Sequence, residues 1–169
     1  DKPAGGAWRS GYGDTELGVK YRFLQEDAAG WRPMVAIFPA VELPSGDADR
    51  NLGSGHTRAF LPVWLEKNFG DWTLDSGGGY WINPGAGNKN YWFTGVNLLR
   101  KVTDQLTLGG ELFHQTANQV GGPDSSGFNL GGIFDFNENH HLLFSAGRGL
   151  QNAAATNEFS YYLAYQLTF

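Results

Sequence analysis

The chain has 169 residues, a formal net charge of −5 and no cysteine. One domain fits that length, the negative balance argues against a nucleic-acid partner, and without cysteine there is no disulfide framework and no thiolate metal site or nucleophile. No run of about 18 apolar residues occurs, so no membrane-spanning helix is expected, while 25 glycines and 15% aromatic residues suit a strongly twisted β protein.

Residues 1–13 read as loop. Nine strand-like segments follow, over 14–24, 32–43, 57–68, 71–82, 91–102, 105–116, 126–137, 140–150 and 158–169. Each runs about 10–12 residues, the length a tilted strand needs to cross a bilayer. None keeps a 3.6-residue period over three turns, so essentially no helix is expected. The connections alternate. Phe69-Gly70, Thr103-Asp104 and 137–139 are short and carry turn chemistry, whereas 44–56, 83–90, 117–125 and 151–157 are longer and rich in Gly, Asn, Asp and Ser. The 24–31 link belongs by position with the short set. Short turns at one end and long loops at the other are the pattern of an outer-membrane barrel.

The last segment shows the two faces most plainly. Phe169, Leu167, Tyr165, Leu163, Tyr161 and Phe159 share one parity, and Thr168, Gln166, Ala164, Tyr162, Ser160 and Glu158 the other. Side chains on a strand alternate faces, so one face is oily and one is wet. The same alternation assigns Leu17, Val19, Tyr21, Leu61, Val63, Leu74, Val96, Leu98, Leu112 and Leu130 to the oily face. Charges fall on the other: Glu16, Lys20, Arg22, Glu42, Glu66, Asp75, Lys101, Glu111, Asp135 and Glu158. Charges of oily-face parity (Lys67, Arg100, Arg148) stand near strand ends, where long side chains reach headgroups. Trp72 and Tyr21 on the turn side, and Tyr80, Trp92 and Tyr161 on the loop side, form two aromatic girdles. A soluble lipocalin-like barrel would turn the oily face inward, but the girdles and strand lengths favour lipid outside. The expectation is an all-β, antiparallel, up-and-down transmembrane β-barrel in the outer membrane of a Gram-negative bacterium, with 1–169 as one domain.

Nine is odd, and bacterial single-chain barrels have even strand numbers. An odd number of further strands is therefore expected before Asp1, with a gap left between the segments 14–24 and 158–169.

The phrases GDTELGVKYRFL (13–24), AVELPSGD (40–47), KNFGDWTLDSGGGYW (67–81), LLRKVTDQLTLGGELF (98–113), AGRGL (146–150) and the closing YYLAYQLTF resemble the outer-membrane family labelled "MetA-pathway of phenol degradation". The resemblance covers nearly the whole chain. It implies an outer-membrane barrel linked to passage of small, hydrophobic or aromatic compounds, and about twelve strands in all, even-numbered as such barrels are. Phe169 resembles the aromatic C-terminal signal read by the barrel-assembly machinery. Pro39 and Pro62 depart from a regular strand, since each removes a ladder donor, and they suggest a bulge or weak pairing there.

Seven acids against three bases on the wet face suggest a weakly cation-favouring, porin-like pore. The alternative is that these charges pair and plug the lumen of a purely structural barrel. No metal or cofactor is expected: His140 and His141 are adjacent on a strand and point to opposite faces, Asp47 and Asp49 lack the spacing and closing Glu of an EF-hand loop, and GGG at 77–79 precedes no helix. No enzyme activity is expected either. The nearest approach to one is lipid hydrolysis by His114 with Thr116, which share the oily face near the loop side. The expected partners are outer-membrane lipid, the assembly machinery and small solutes.

Overall fold

The computed structural model describes residues 9–169, so the first eight positions of the expected 1–13 loop lie outside the described residues. The strands are β1 (Thr15–Gly18), β2 (Tyr21–Leu24), β3 (Met34–Ile37), β4 (Ala40–Leu43), β5 (Arg58–Phe69), β6 (Trp72–Ile82), β7 (Tyr91–Lys101), β8 (Leu106–Gln115), β9 (Ser125–Asp135), β10 (His140–Gln151) and β11 (Ser160–Leu167). All pair antiparallel in one sheet, in the order β1-β4-β5-β6-β7-β8-β9-β10-β11, with β2 on β3 and β3 on β5. The only helical pieces among the described residues are single turns at Ala48–Arg50 and Ala153–Thr156.

The expected strands 14–24 and 32–43 each appear as two pieces, β1 with β2 and β3 with β4. The interruption comes from missing donors rather than from a slip. Pro39 lies between β3 and β4, and Pro62 lies opposite the break in β5; neither has an N–H to give the ladder. Ile37 pairs with Val63 and Ala40 with Phe60, so the residue count stays matched across the gap. Leu17 pairs with Val41 and Tyr21 with Ile37, and the amide of Val19 bonds the carbonyl of Pro39 at 3.1 Å across the same break. Of the two effects expected at the prolines, the weak pairing is found there, and the bulge lies between Arg22 and Leu24. The nine-strand meander therefore keeps one register. The sheet is open: β1 and β2 at one edge and β11 at the other do not pair with each other.

The sheet curls toward one face. Strands two apart are separated by about 9.5 Å in a flat sheet, yet the rings of Phe60 on β5 and Phe93 on β7 meet at 6.4 Å between centroids. Their parity is thus the concave one. The convex parity carries cross-strand pairs such as Leu17–Val41, Val35–Leu65, Leu74–Leu98, Val96–Leu112, Phe134–Leu142 and Phe144–Leu163. These side chains stay exposed: Leu163 is 68% accessible and Leu130 62%.

At the short-turn edge the 25–33 segment is tied to β5. Lys67, of convex parity, is covered by this link and is not free to reach headgroups. Its Nζ donates to Glu26 Oε1 at 2.7 Å and to the Asp27 carbonyl at 2.9 Å, and the residue is buried. Glu26 also accepts from the Asn68 amide at 2.8 Å and from Asn68 Nδ2 at 2.7 Å. The Lys67 ammonium first, then the two Asn68 donors, hold the Glu26 carboxyl at about 2 against an ordinary 4.5. The link thus joins the short-turn side, as its position in the chain implies. At the opposite edge Asp14 accepts from the Ser54 hydroxyl and amide, both at 2.6 Å, and from the Gly46 amide at 2.9 Å. Gly46 and Gly53 permit this close folding, since a Cβ on Gly46 would lie 2.4 Å from the Leu52 carbonyl oxygen.

Because the folded chain favours the Glu26 carboxylate, its contribution is complete above pH 4.5 and is lost as pH falls toward 2. Protection factors of the residues 25–33 amides, taken relative to intrinsic exchange at each pH, are expected to fall across that window. Glu26→Gln should show the low protection already at pH 7 and remove the acid step.

Candidate functional site

One register across the sheet lines up concave side chains in rows, one residue per strand. At the long-loop end stand Glu16, Glu42 and Arg58. Next come Ala40, Phe60, Trp81 and Tyr91, then Pro62, Gly79, Phe93 and Gln115, then Ala36, Trp64, Gly77, Gly95 and Phe113. Below them runs a polar row of Glu66, Asp75, Asn97, Glu111 and Asn129. An aromatic tier thus stands directly on an acid and amide belt.

The tier is built by contact. Phe60 stacks on Trp81 at 4.7 Å and 12°, Trp81 on Tyr91 at 5.9 Å and 16°, and Phe93 on Phe113 at 6.1 Å and 22°. Offset stacks of this kind add to simple area burial. Glycines opposite the rings make room for them. A Cβ on Gly79 would come 2.7 Å from Phe60, on Gly77 2.9 Å from Trp64, and on Gly127 2.5 Å from Phe113. Gly77 and Gly79 are therefore the flat wall against which large rings lie, while Gly78 falls on the convex face. Arg58 caps the tier: its guanidinium sits 5.0 Å from the Trp81 ring and donates to Glu42 from Nε at 2.8 Å and from Nη2 at 2.5 Å. A planar cation between a ring and a carboxylate uses both its face and its edge.

The belt is held by amides. Asn129 Nδ2 donates to Glu111 at 2.9 Å and Asn97 Nδ2 approaches Asp75 at 3.4 Å. The ion pairs found among the described residues join Arg58 to Glu42, Lys67 to Glu26, Lys101 to Asp104 and His141 to Asp135. None of them engages Glu66, Asp75 or Glu111. Lys20 lines the same hollow as Glu66, Asp75 and Trp64.

The charged residues assigned from parity fall as follows. Glu16, Glu42, Glu66, Asp75 and Glu111 stand in the rows just described, and Arg22 lies opposite Ala36, with its guanidinium 3.5 Å from Gln25. Lys101 and Asp135 stand at the short-turn ends of β7 and β9; Lys101 pairs with Asp104 at 2.9 Å, and Asp135 with His141 Nδ1 at 2.5 Å. Glu158 precedes β11 in a bend, outside the strand, and is exposed. Phe169 lies beyond β11, fully exposed. His140 and His141 diverge, His140 to the Tyr165 hydroxyl and His141 to Asp135. Asp47 caps the Ala48–Arg50 turn through its own carboxylate.

Arg58 and the aromatic tier are absent from the sequence reading, which gave the concave face only its charges. Their parity was legible: Arg58, Phe60 and Trp64 fall on the wet face of the expected strand 57–68. Aromatics on both faces hid the signal, because alternation separates apolar from polar and not one ring from another. Gly79→Val is expected to press on the Leu61–Pro62 backbone as well as on Phe60, all within 2.7 Å of the added Cβ, and to cost at least about 1–3 kcal/mol by overpacking, read as a lower unfolding midpoint together with loss of near-ultraviolet aromatic dichroism. Gly70→Ala, at an open turn, should leave that dichroism in place.

No curated protein matches the chain. The family model described as "Putative MetA-pathway of phenol degradation" matches residues 4–167. Nearly the whole curled sheet, with its aromatic tier and acid belt, falls inside that match, and the chain belongs to this family.

Proposed function

We propose that the chain forms the wall of an outer-membrane β-barrel through which small hydrophobic or aromatic molecules pass passively along the concave face. The observation that carries this reading is the stacked tier of Phe60, Trp81, Tyr91, Phe93 and Phe113 on the face where a structural barrel needs only charge pairs. Phe60, Trp81, Phe93 and Phe113 are half-buried beside glycine walls and leave a planar guest successive ring surfaces, while the buried Tyr91 backs Trp81. Transfer needs such sites, favourable enough to enter and weak enough to leave.

The membrane setting is supported by the convex face. Its middle is mostly aliphatic, with Phe144 beside Leu163, and Trp and Tyr gather at both ends. Tyr80 packs on Trp92 at 5.0 Å toward the long loops, and Arg100 lies 5.2 Å from the Trp72 ring toward the short turns. That is the belt arrangement of lipid-facing barrels. The exposed Phe169 suits recognition by the barrel-assembly machinery. No enzymatic step is needed for passage along the tier.

Leu163→Arg, at mid-strand on the convex face, is expected to cost about 2–4 kcal/mol in lipid, and Gln166→Arg on the concave face much less; equal costs in reversible unfolding would refute the lipid-facing assignment. In liposomes, influx of a phenol above the rate of protein-free vesicles should exceed that of a sugar of similar size, corrected in the same way. Trp81→Ala with Phe93→Ala should remove the difference, while equal influx before and after would refute the tier's role. Glu66, Asp75 and Glu111 should give a weak cation preference in the reversal potential, lowered by Asp75→Asn with Glu111→Gln. A wild-type barrel that inserts but passes neither ions nor solutes would favour the filled, structural lumen instead.

A further inference from the structure

Across the convex face, near the long loops, one row reads Thr94, His114, Ser126 and Gln151, on β7, β8, β9 and β10. His114 Nδ1 lies 2.8 Å from Ser126 Oγ, and the Ser126 hydroxyl donates to Gln151 Oε1 at 3.0 Å. Thr116, the sequence candidate for the partner of His114, is engaged elsewhere: its hydroxyl accepts the Trp92 amide at 2.9 Å. The residue beside the histidine is therefore a serine, from a neighbouring strand that strand spacing alone does not reveal.

Two features show this row is assembled rather than incidental. First, Gln151 reaches it only because β10 shifts register between Gly149 and Gln151; without that shift its side chain would fall on the other face. Second, the backbone turns at once into the left-handed region at Asn152, φ 53°, held there by its side-chain bond to the Asp124 carbonyl at 2.7 Å. Asp124 in turn accepts the Ala117 amide at 2.7 Å, so the ends of β8, β9 and β10 are locked together where His114, Ser126 and Gln151 stand. Beside the row a shallow trough opens on the convex wall, lined by Ser76, Thr94, Val96, Leu112 and His114.

We propose that Ser126 and His114 form a nucleophile and base that hydrolyse the carboxylic ester of a lipid held against the outer wall. The proposal rests on the membrane placement given above. In that placement the row stands at the loop-side limit of the apolar band, the depth of a lipid's ester linkage, and the trough below it accepts an acyl chain. Ser126 Oγ attacks the ester carbonyl carbon and its proton passes to His114 Nδ1, within the reach a general base needs. The tetrahedral intermediate collapses to an acyl-serine, and the leaving alcohol takes the proton from His114. Water then attacks the acyl-serine, gives one proton to His114, and Ser126 recovers it as the carboxylic acid departs. The sum is ester plus water to alcohol plus acid. Serine has a single hydroxyl proton, and in the resting arrangement Gln151 Oε1 accepts it; turning the Gln151 amide over brings its NH₂ to Ser126 and frees that proton for His114, so Gln151 acts as a positioning residue.

The test uses the full chain folded in detergent, with a fluorophosphonate probe followed by mass spectrometry and with hydrolysis of a medium-chain p-nitrophenyl ester and of phosphatidylcholine in mixed micelles. The expected result is a label on Ser126 and hydrolysis that falls at least about 100-fold in Ser126→Ala and in His114→Asn. Gln151→Ala should lower kcat and leave KM, and Thr116→Ala should leave both. Circular dichroism and heat-shifted gel mobility confirm that each variant is folded. No label and no hydrolysis by folded wild type, or hydrolysis that survives Ser126→Ala, overturns the proposal. Flotation with liposomes reads membrane placement separately: a protein that floats but neither labels nor hydrolyses sinks only the ester reaction, and one that labels but does not float sinks the lipid substrate.

Discussion

The structure depends on one constraint: a single register held across nine strands. Strand side chains repeat every two residues, so a slip of one would move the whole apolar set to the concave face and every carboxylate of the belt outward. The register survives even where the ladder loses donors, at Pro39 and Pro62, because Ile37–Val63 and Ala40–Phe60 stay in phase on either side. Apolar pairs such as Val35–Leu65 and Val96–Leu112 reward only that phase. Where the count does change, at Arg22/Leu24 and at Gly149/Gln151, it changes near strand ends and leaves the middle of the wall untouched.

Given the register, the glycines and the aromatics answer each other. A curled sheet crowds its concave face, and six-membered rings there need flat ground. Gly77, Gly79 and Gly127 supply it under Trp64, Phe60 and Phe113. The wall is thin where the rings are thick, so the tier stacks without forcing the strands apart. The belt beneath it follows the opposite logic. Its carboxylates take amide partners, Asn97 and Asn129, rather than guanidinium or ammonium ones. Amides orient an acid without setting a full positive charge against it.

The two edges of the sheet are finished by different means. On the short-turn side Glu26 collects Lys67 and Asn68, converting a basic residue of convex parity into an internal clasp. On the long-loop side Asp14 gathers Ser54 and Gly46, and Arg58 rests between Trp81 and Glu42. These clusters fold the connecting segments against the strands that carry the tier, so the approach to it is shaped by carboxylates at fixed positions rather than by loop composition alone.

Alternation and turn chemistry were enough to determine strand number, antiparallel order, the alternation of short and long connections and the parity of each face, because each depends on residues near in the chain. The family was legible for the same reason, through phrases such as GDTELGVKYRFL and KNFGDWTLDSGGGYW. What the tertiary structure decided is which residues of a given face become neighbours. Phe60 meets Trp81 and Phe93, Glu42 meets Arg58, and His114 meets Ser126 instead of Thr116. Lys67 is covered because a carboxylate from the 25–33 link lay within reach, and Glu158 lies outside β11, which begins at Ser160. Parity says which way a side chain points; only the cross-strand pairing and the curl of the sheet say what it touches.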